Sequence, residues 1–296
     1  MRILSFLYVR FGRRLSHALL LPIAAYFFLT SPRARRASRR YLAAVEPLTT
    51  GAAARDAKPT ARNVSRHLFQ FATANLDILA AWHDPERIPV RFPQSDVFFA
   101  AARRRQGMLL ISAHFGNPEV SRALLRLAPE LRINALVYTE RAPKSNALFD
   151  EISDAYAIRL IPVQTIGPQT AMLLHEKIAA GEVVVIVGDR TPVAAGSPTV
   201  EADFLGRPAA FAAGPYILAH ALECPVYLFF CVAEDGGYTA YLEPFAERVH
   251  LPRGARDAAL RELAARYAAR LADYAARFPL QWYNFYDFWA PPRRSQ

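Results

Sequence analysis

Met108-Leu109-Leu110-Ile111-Ser112-Ala113-His114-Phe115-Gly116-Asn117-Pro118-Glu119 is the stretch from which the rest of this chain can be read. An apolar run of strand length ends at a histidine, and a Gly-Asn-Pro turn follows. A short apolar run bounded by turn residues suits a strand buried on both faces. Gly116 and Asn117 allow a tight turn with little side-chain bulk above the imidazole. Pro118 suits the first position of a helix, which sets Glu119 near the positive end of that helix, facing back toward the ring. A carboxylate held there stays ionised and can orient or polarise the imidazole. His114 and Glu119 together suit taking a proton from a hydroxyl or thiol. The plainer alternative for His114 is a core histidine at a strand end with its hydrogen bonds satisfied.

Outward from this stretch the pattern alternates. Strands are expected over residues 108–113, 133–138, 158–163, 183–187 and 226–232, with helices over 119–127, 145–157, 169–180 and 214–222 between them. That alternation gives an α/β fold with a mixed, largely parallel sheet flanked by helices. Residues 238–242 can pair with 226–232 across Glu234-Asp235-Gly236-Gly237. Further helices are expected over 60–82, 95–105 and 256–277. The last carries Leu260, Leu263, Tyr267, Leu271 and Tyr274 on one face.

A second candidate site follows the clearest buried strand, Val183-Val184-Val185-Ile186-Val187, which runs into Gly188-Asp189-Arg190. Strand C-termini are where open α/β sheets place ligands. Arg190 at such an edge can hold a phosphate or carboxylate bidentately, with Asp189 orienting it or lining the site. The alternative is a surface turn with an Asp–Arg ion pair. A third stretch, residues 203–215, reads as an apolar loop leading into a helix near Pro215.

The charge is unevenly placed. Nine arginines and no acid precede Glu46; removing those nine from the 36 basic side chains leaves 27 against 26 acidic ones. The basic excess therefore belongs to the first 45 residues. These arginines flank an uncharged stretch, residues 15–32, which as a helix measures about 27 Å. That length is marginal for a membrane span, and Pro22 and His17 weaken it. A helix lying in the interface fits better, with arginines on anionic headgroups and Leu19, Leu20, Ile23, Phe27 and Phe28 in the acyl region. The chain then divides into an N-terminal membrane-attachment segment (1–48), a small-residue linker (49–59) and a globular body (60–296). Nucleic acid is not an expected partner, because the arginines bracket apolar residues and the body has no basic excess. Cys224 and Cys231 read as small buried hydrophobes in a reducing compartment, and no Cys/His cluster has zinc spacing.

Taken together these blocks resemble the lysophospholipid acyltransferase superfamily, and within it the bacterial lipid A lauroyl/myristoyl acyltransferase branch. His114-Phe115-Gly116-Asn117-Pro118-Glu119 is similar to that family's first block, a histidine and an acid separated by four residues. Pro118 departs from the usual aromatic. Val137-Tyr138-Thr139-Glu140-Arg141 resembles the second block. Gly188-Asp189-Arg190 resembles the third, which in the lipid A enzymes more often shows Asp-Gln. Phe204-Leu205-Gly206 through Pro225-Val226 resembles the fourth, and the aromatic tail from Gln281 to Trp289 also fits this branch.

The resemblance implies an O-acyltransferase in which His114 is the general base and Glu119 orients it. Asn117, Arg141, Gly188, Asp189 and Arg190 would then bind substrate. It implies acyl carrier protein or coenzyme A thioester as donor, a lipid or glycolipid acceptor, an anionic membrane surface as partner, and neither cofactor nor metal. It also implies the cytoplasmic face of a bacterial inner membrane. Two rival readings use the same residues: a non-catalytic lipid-binding protein of the same fold, and a thioesterase with water as acceptor. The aromatic tail reads either as core packing against the sheet or as a wall of an acyl channel or interfacial belt.

Overall fold

A computed structural model of the chain describes residues 2–83, 88–121, 131–138, 158–163, 167–190 and 198–290. Four helices come first: α1 (Arg2–Thr30), α2 (Pro32–Val45), α3 (Gly51–Ala57) and α4 (Ala61–His83). Then follow β1 (Val90–Arg91), α5 (Ser95–Arg103), β2 (Met108–Ser112), β3 (Ile133–Tyr138), β4 (Ile158–Val163), α6 (Pro168–Ala179) and β5 (Val183–Val187). The chain continues through β6 (Thr199–Phe204), β7 (Arg207–Ala212), α7 (Gly214–Leu222), β8 (Val226–Glu234), β9 (Gly237–Ala246) and α8 (Arg256–Arg277).

The apolar run of the opening stretch becomes β2, the middle strand of a seven-stranded sheet ordered β1-β9-β8-β2-β5-β3-β4. Every residue of β2 is buried. Within this sheet, among the described residues, β8 and β9 pair antiparallel and the other neighbouring strands pair parallel. The sheet is thus mixed and largely parallel, as the strand–helix alternation implies.

Side chains alternate across it with the period of two that a strand imposes. Leu109, Ile111, Val184 and Ile186 point into one apolar layer, with Leu218 of α7 and Leu263 and Leu271 of α8. Met108, Leu110 and Val183 point into the other, with Leu76 of α4 and Phe98 of α5. Burial on both faces is what an uninterrupted Val/Ile/Leu run encodes.

Several local expectations are corrected. Residues 203–215 are not a loop. Thr199–Phe204 alternates exposed and buried, and pairs antiparallel with Arg207–Ala212 across Leu205 and Gly206. Both turn residues have positive φ, +55° and +75°, the geometry of a two-residue hairpin turn. The stretch read as a linker contains α3, whose Ala57 is fully buried. Residues 118–121 form a short 3₁₀ turn where an α-helix is expected. The remainder of that expected helix, and the helix expected over 145–157, lie outside the described residues.

The N-terminal segment is helical and packs along α4. Leu20 and Ala24, one turn apart, are buried, whereas Leu21, Tyr26, Phe27 and Leu29 stay exposed. Tyr41, Leu42 and Val45 of α2 enter the main core with the sheet and α8. Among the described residues, no helix is long and apolar enough to cross a membrane.

Candidate active site

Two adjacent strand ends build the site. β2 and β5 run parallel in register, Ser112 beside Val187. Gly188 continues the ladder, its N–H donating to the Ser112 carbonyl at 2.9 Å. The next residue on each strand is then His114, after Ala113, and Asp189. The Asp189 carboxylate spans the gap. Oδ1 lies 2.8 Å from His114 Nδ1, and Oδ2 accepts the backbone N–H of His114 at 3.0 Å. Gly188 is closely packed, since a β-carbon there would lie 3.0 Å from the Ile111 side chain and the Tyr267 ring.

Asp189 is fully buried. Burial pushes its pKa up, but the charge of His114 and hydrogen bonds from His114 and Trp282 outweigh that. The carboxyl is held below its ordinary value. Asp189 is therefore ionised and can only accept hydrogen bonds, so Nδ1 of His114 carries the proton. In the neutral imidazole that leaves the lone pair on Nε2, on a side chain that is 31 % exposed. The arrangement is a base with an open nitrogen on one side and a fixed buried anion on the other.

The carboxylate has two further donors, both from the C-terminal segment. Trp282 Nε1 donates to Oδ2 at 2.8 Å, and Asn284 Nδ2 to the same oxygen at 3.1 Å. That segment lies antiparallel to the residues around His114. Gly116 N–H donates to the Gln281 carbonyl, and Tyr283 N–H to the His114 carbonyl, each at 2.8 Å. The tail is thus part of the site, and Trp282 and Phe288 belong to the core, each 1 % exposed, whereas Tyr286 is exposed.

A cavity of about 360 Å³ lined by Gln106, Tyr227 and Glu247 lies at the opposite edge of the sheet, beside the start of β8. Ligands of open α/β sheets gather at strand C-termini, so the edge bearing His114 is the candidate site. Among the described residues, no group of three His, Cys, Asp or Glu side chains could hold a metal ion.

The family model for bacterial lipid A biosynthesis acyltransferases matches residues 3–290, nearly the whole chain. The chain belongs to that family. As a lipid A acyltransferase family member it is an acyltransferase acting on a lipid. Comparison with curated proteins returned no match.

Other expected site residues of this family member fall in different places. Asn117 is buried, its side chain donating to the Ala74 carbonyl at 2.7 Å and its N–H to the Cys231 carbonyl at 2.6 Å. It anchors the turn to α4 and β8. Glu119 is half-buried on the 3₁₀ turn. Glu119 is expected to face back toward the ring and orient it; the carboxylate bonded to the ring at Nδ1 is Asp189. Arg190 is exposed directly after Asp189. Arg141 lies outside the described residues.

Trp282 and Asn284 are the site residues that sequence reasoning missed. The aromatic tail was conspicuous, but nothing local ties an indole N–H to a carboxylate 93 positions away. Cys224 and Cys231 are free and buried as expected, and burial pushes the Cys224 thiol up to about 11.

Proposed function

We propose that this chain transfers a fatty acyl group from a thioester to a hydroxyl of a glycolipid acceptor, with His114 as general base. The observation that carries the reading is the 2.8 Å contact between His114 Nδ1 and the buried Asp189. It leaves Nε2 as the proton acceptor at the edge of the sheet.

The chemistry is a single displacement at the thioester carbonyl. Nε2 takes the acceptor's hydroxyl proton as the oxygen attacks the carbonyl carbon. The C–O bond forms, the C–S bond breaks, and the thiol sulfur leaves with the proton returned by the imidazolium. Asp189, already ionised, stabilises the imidazolium while that proton is held. General-base assistance of this kind is worth roughly 10²–10⁴-fold. Holding both substrates in place supplies much of the rest.

Glu119, on the turn after the strand, is assigned a supporting role toward the same imidazole. Arg190 suits a phosphate on donor or acceptor. The donor is an acyl carrier protein or coenzyme A thioester, and no metal or redox cofactor is needed for this displacement.

We also assign the N-terminal helices to the membrane surface, at the cytoplasmic face of a bacterial inner membrane. The exposed Leu21, Tyr26, Phe27 and Leu29 of α1 adjoin the exposed Arg33, Arg36 and Arg39 of α2. Apolar and cationic groups side by side suit an anionic lipid interface.

The test is purified protein with dodecanoyl-coenzyme A and an underacylated lipid A preparation, products read by mass spectrometry. The expected result is an acylated lipid that disappears in His114→Ala while the variant remains folded. Wild-type turnover in that variant overturns the role of His114. Free fatty acid in place of acylated lipid makes the protein a thioesterase.

A further inference from the structure

We propose that His67 and Trp282 are positioning residues for His114, holding it through Asp189 by a buried hydrogen-bond chain that begins at Ser38 of α2. This inference rests on the reading of His114 as the base.

Trp282 sits between the two backbone bonds that join the tail to the residues around His114, those of Gln281 and Tyr283. In an antiparallel pairing the residue between such bonds turns its own carbonyl away from its partner strand. The Trp282 carbonyl accordingly points outward, where Nε2 of His67 meets it at 2.9 Å. Its side chain points to Asp189, with the indole N–H on Oδ2. On the far side of His67, Nδ1 lies 2.9 Å from the Ser38 hydroxyl.

The protons in this chain have one consistent arrangement. A carbonyl only accepts, so Nε2 of His67 donates to it. Nδ1 then accepts the Ser38 hydroxyl proton. Ser38, His67 and Asp189 are each fully buried and Trp282 is 1 % exposed, so no water competes for these bonds. The ring is neutral, because burial lowers the His67 pKa to about 4. Tyr41 closes the cluster, its ring 5.0 Å from Trp282 and 5.5 Å from His67.

Asp189 has a single oxygen on the His114 ring, so rotation of the carboxylate moves the imidazole. Its rotation is set by what Oδ2 accepts. The indole is one of those donors, and His67 fixes the backbone that carries the indole. A misplacement of about 1 Å at a reacting group lowers a rate on the order of 10²-fold.

Full-length Trp282→Phe, His67→Phe and His67→Gln would be compared with wild type and His114→Ala. The probes are dodecanoyl-coenzyme A and an underacylated lipid A preparation, with rates normalised to folded protein. ¹⁵N-histidine NMR would read the tautomer of His114. We expect the two Phe variants to lower kcat roughly ten- to hundredfold with KM within about twofold, and to reduce the Nδ1–H population of His114. His67→Gln, which can donate to Trp282 and accept from Ser38, restores both.

Wild-type kcat and an unchanged tautomer in Trp282→Phe and His67→Phe, with His114→Ala inactive, overturn this inference and leave the proposed function standing. A loss that vanishes on normalising to folded protein also overturns it. Full turnover by His114→Ala removes the proposed function instead. If no protein turns over the probes, the NMR signal decides, and an unaltered His114 tautomer in Trp282→Phe refutes the chain.

Discussion

A β-carbon on Gly116 would lie 2.1 Å from the carbonyl oxygen of Cys231. The turn after His114 is pressed directly onto the backbone of β8, where Asn117 N–H bonds the same carbonyl. Gly116 also has φ of +63°, which other residues adopt at a cost. Gly116→Ala therefore meets two penalties together, a backbone clash and a left-handed conformation. The expected loss of stability is about 3 kcal/mol or more, read from the urea midpoint. An unaltered midpoint would show that the turn can move off β8.

Asp189 and Glu119 make different predictions. Asp189→Asn presents an amide to a ring nitrogen that must keep its proton, so the ring rotates or changes tautomer. The expected fall in kcat is about 10²–10⁴-fold. Glu119→Gln keeps the Nδ1 partner and is expected to lower kcat less. Steady-state rates of both variants on the same donor and acceptor decide the order. A larger loss in Glu119→Gln would return the orienting role to Glu119.

His67 makes stability depend on pH. Its folded pKa of about 4 lies below the ordinary 6.5. Between those values the unfolded chain binds a proton that the folded protein refuses, so stability falls as pH drops from about 6.5 to about 4 and the loss stops below that. The contribution is roughly 3 kcal/mol, present in full above about pH 6.5. Urea unfolding at pH 7 and pH 4.5 should show most of this difference in wild type. His67→Phe has no such proton to refuse and should lack that part of it.

Membrane attachment through α1 and α2 predicts a response to negative charge placed on the exposed apolar face. Leu21→Glu with Phe27→Glu places two carboxylates where apolar groups meet lipid. Each side chain buried in lipid is worth on the order of 2 kcal/mol. Cosedimentation with anionic phosphatidylglycerol vesicles is expected to fall at least tenfold, and wild-type binding to weaken as salt rises. Equal binding by the double variant would move the lipid contact elsewhere.

How much the sequence disclosed depended on the range of each interaction. Val183–Val187 and Leu260 to Tyr274 were legible because burial on one element repeats with that element's own period. The hairpin of β6 and β7 was equally legible in principle. Its alternation from Thr199 to Phe204 and the Leu205-Gly206 turn are local signals, obscured by the small apolar residues after Pro208. His114 could be located from its own strand and turn. Its partner could not be chosen locally, because Glu119 is near in sequence whereas Asp189 is near only through the pairing of β2 with β5. The donors to Asp189 were harder still. Trp282 and Asn284 reach it from a segment without regular secondary structure, whose place is set by Gln281 bonding both backbone groups of Ala233 at 2.7 and 2.8 Å.

That distribution has a consequence for how the protein is made. The surroundings of His114 draw on α2 and α4 near the start of the chain and on residues 281–284 near its end. A ribosome delivers the first of these long before the last. Until the Trp-Tyr-Asn segment clears the exit tunnel, Ser38 and His67 have no indole-bearing strand to hold and Asp189 lacks two of its donors. On the proposed mechanism, therefore, His114 gains its full reactivity only once residues 281–284 have joined the fold.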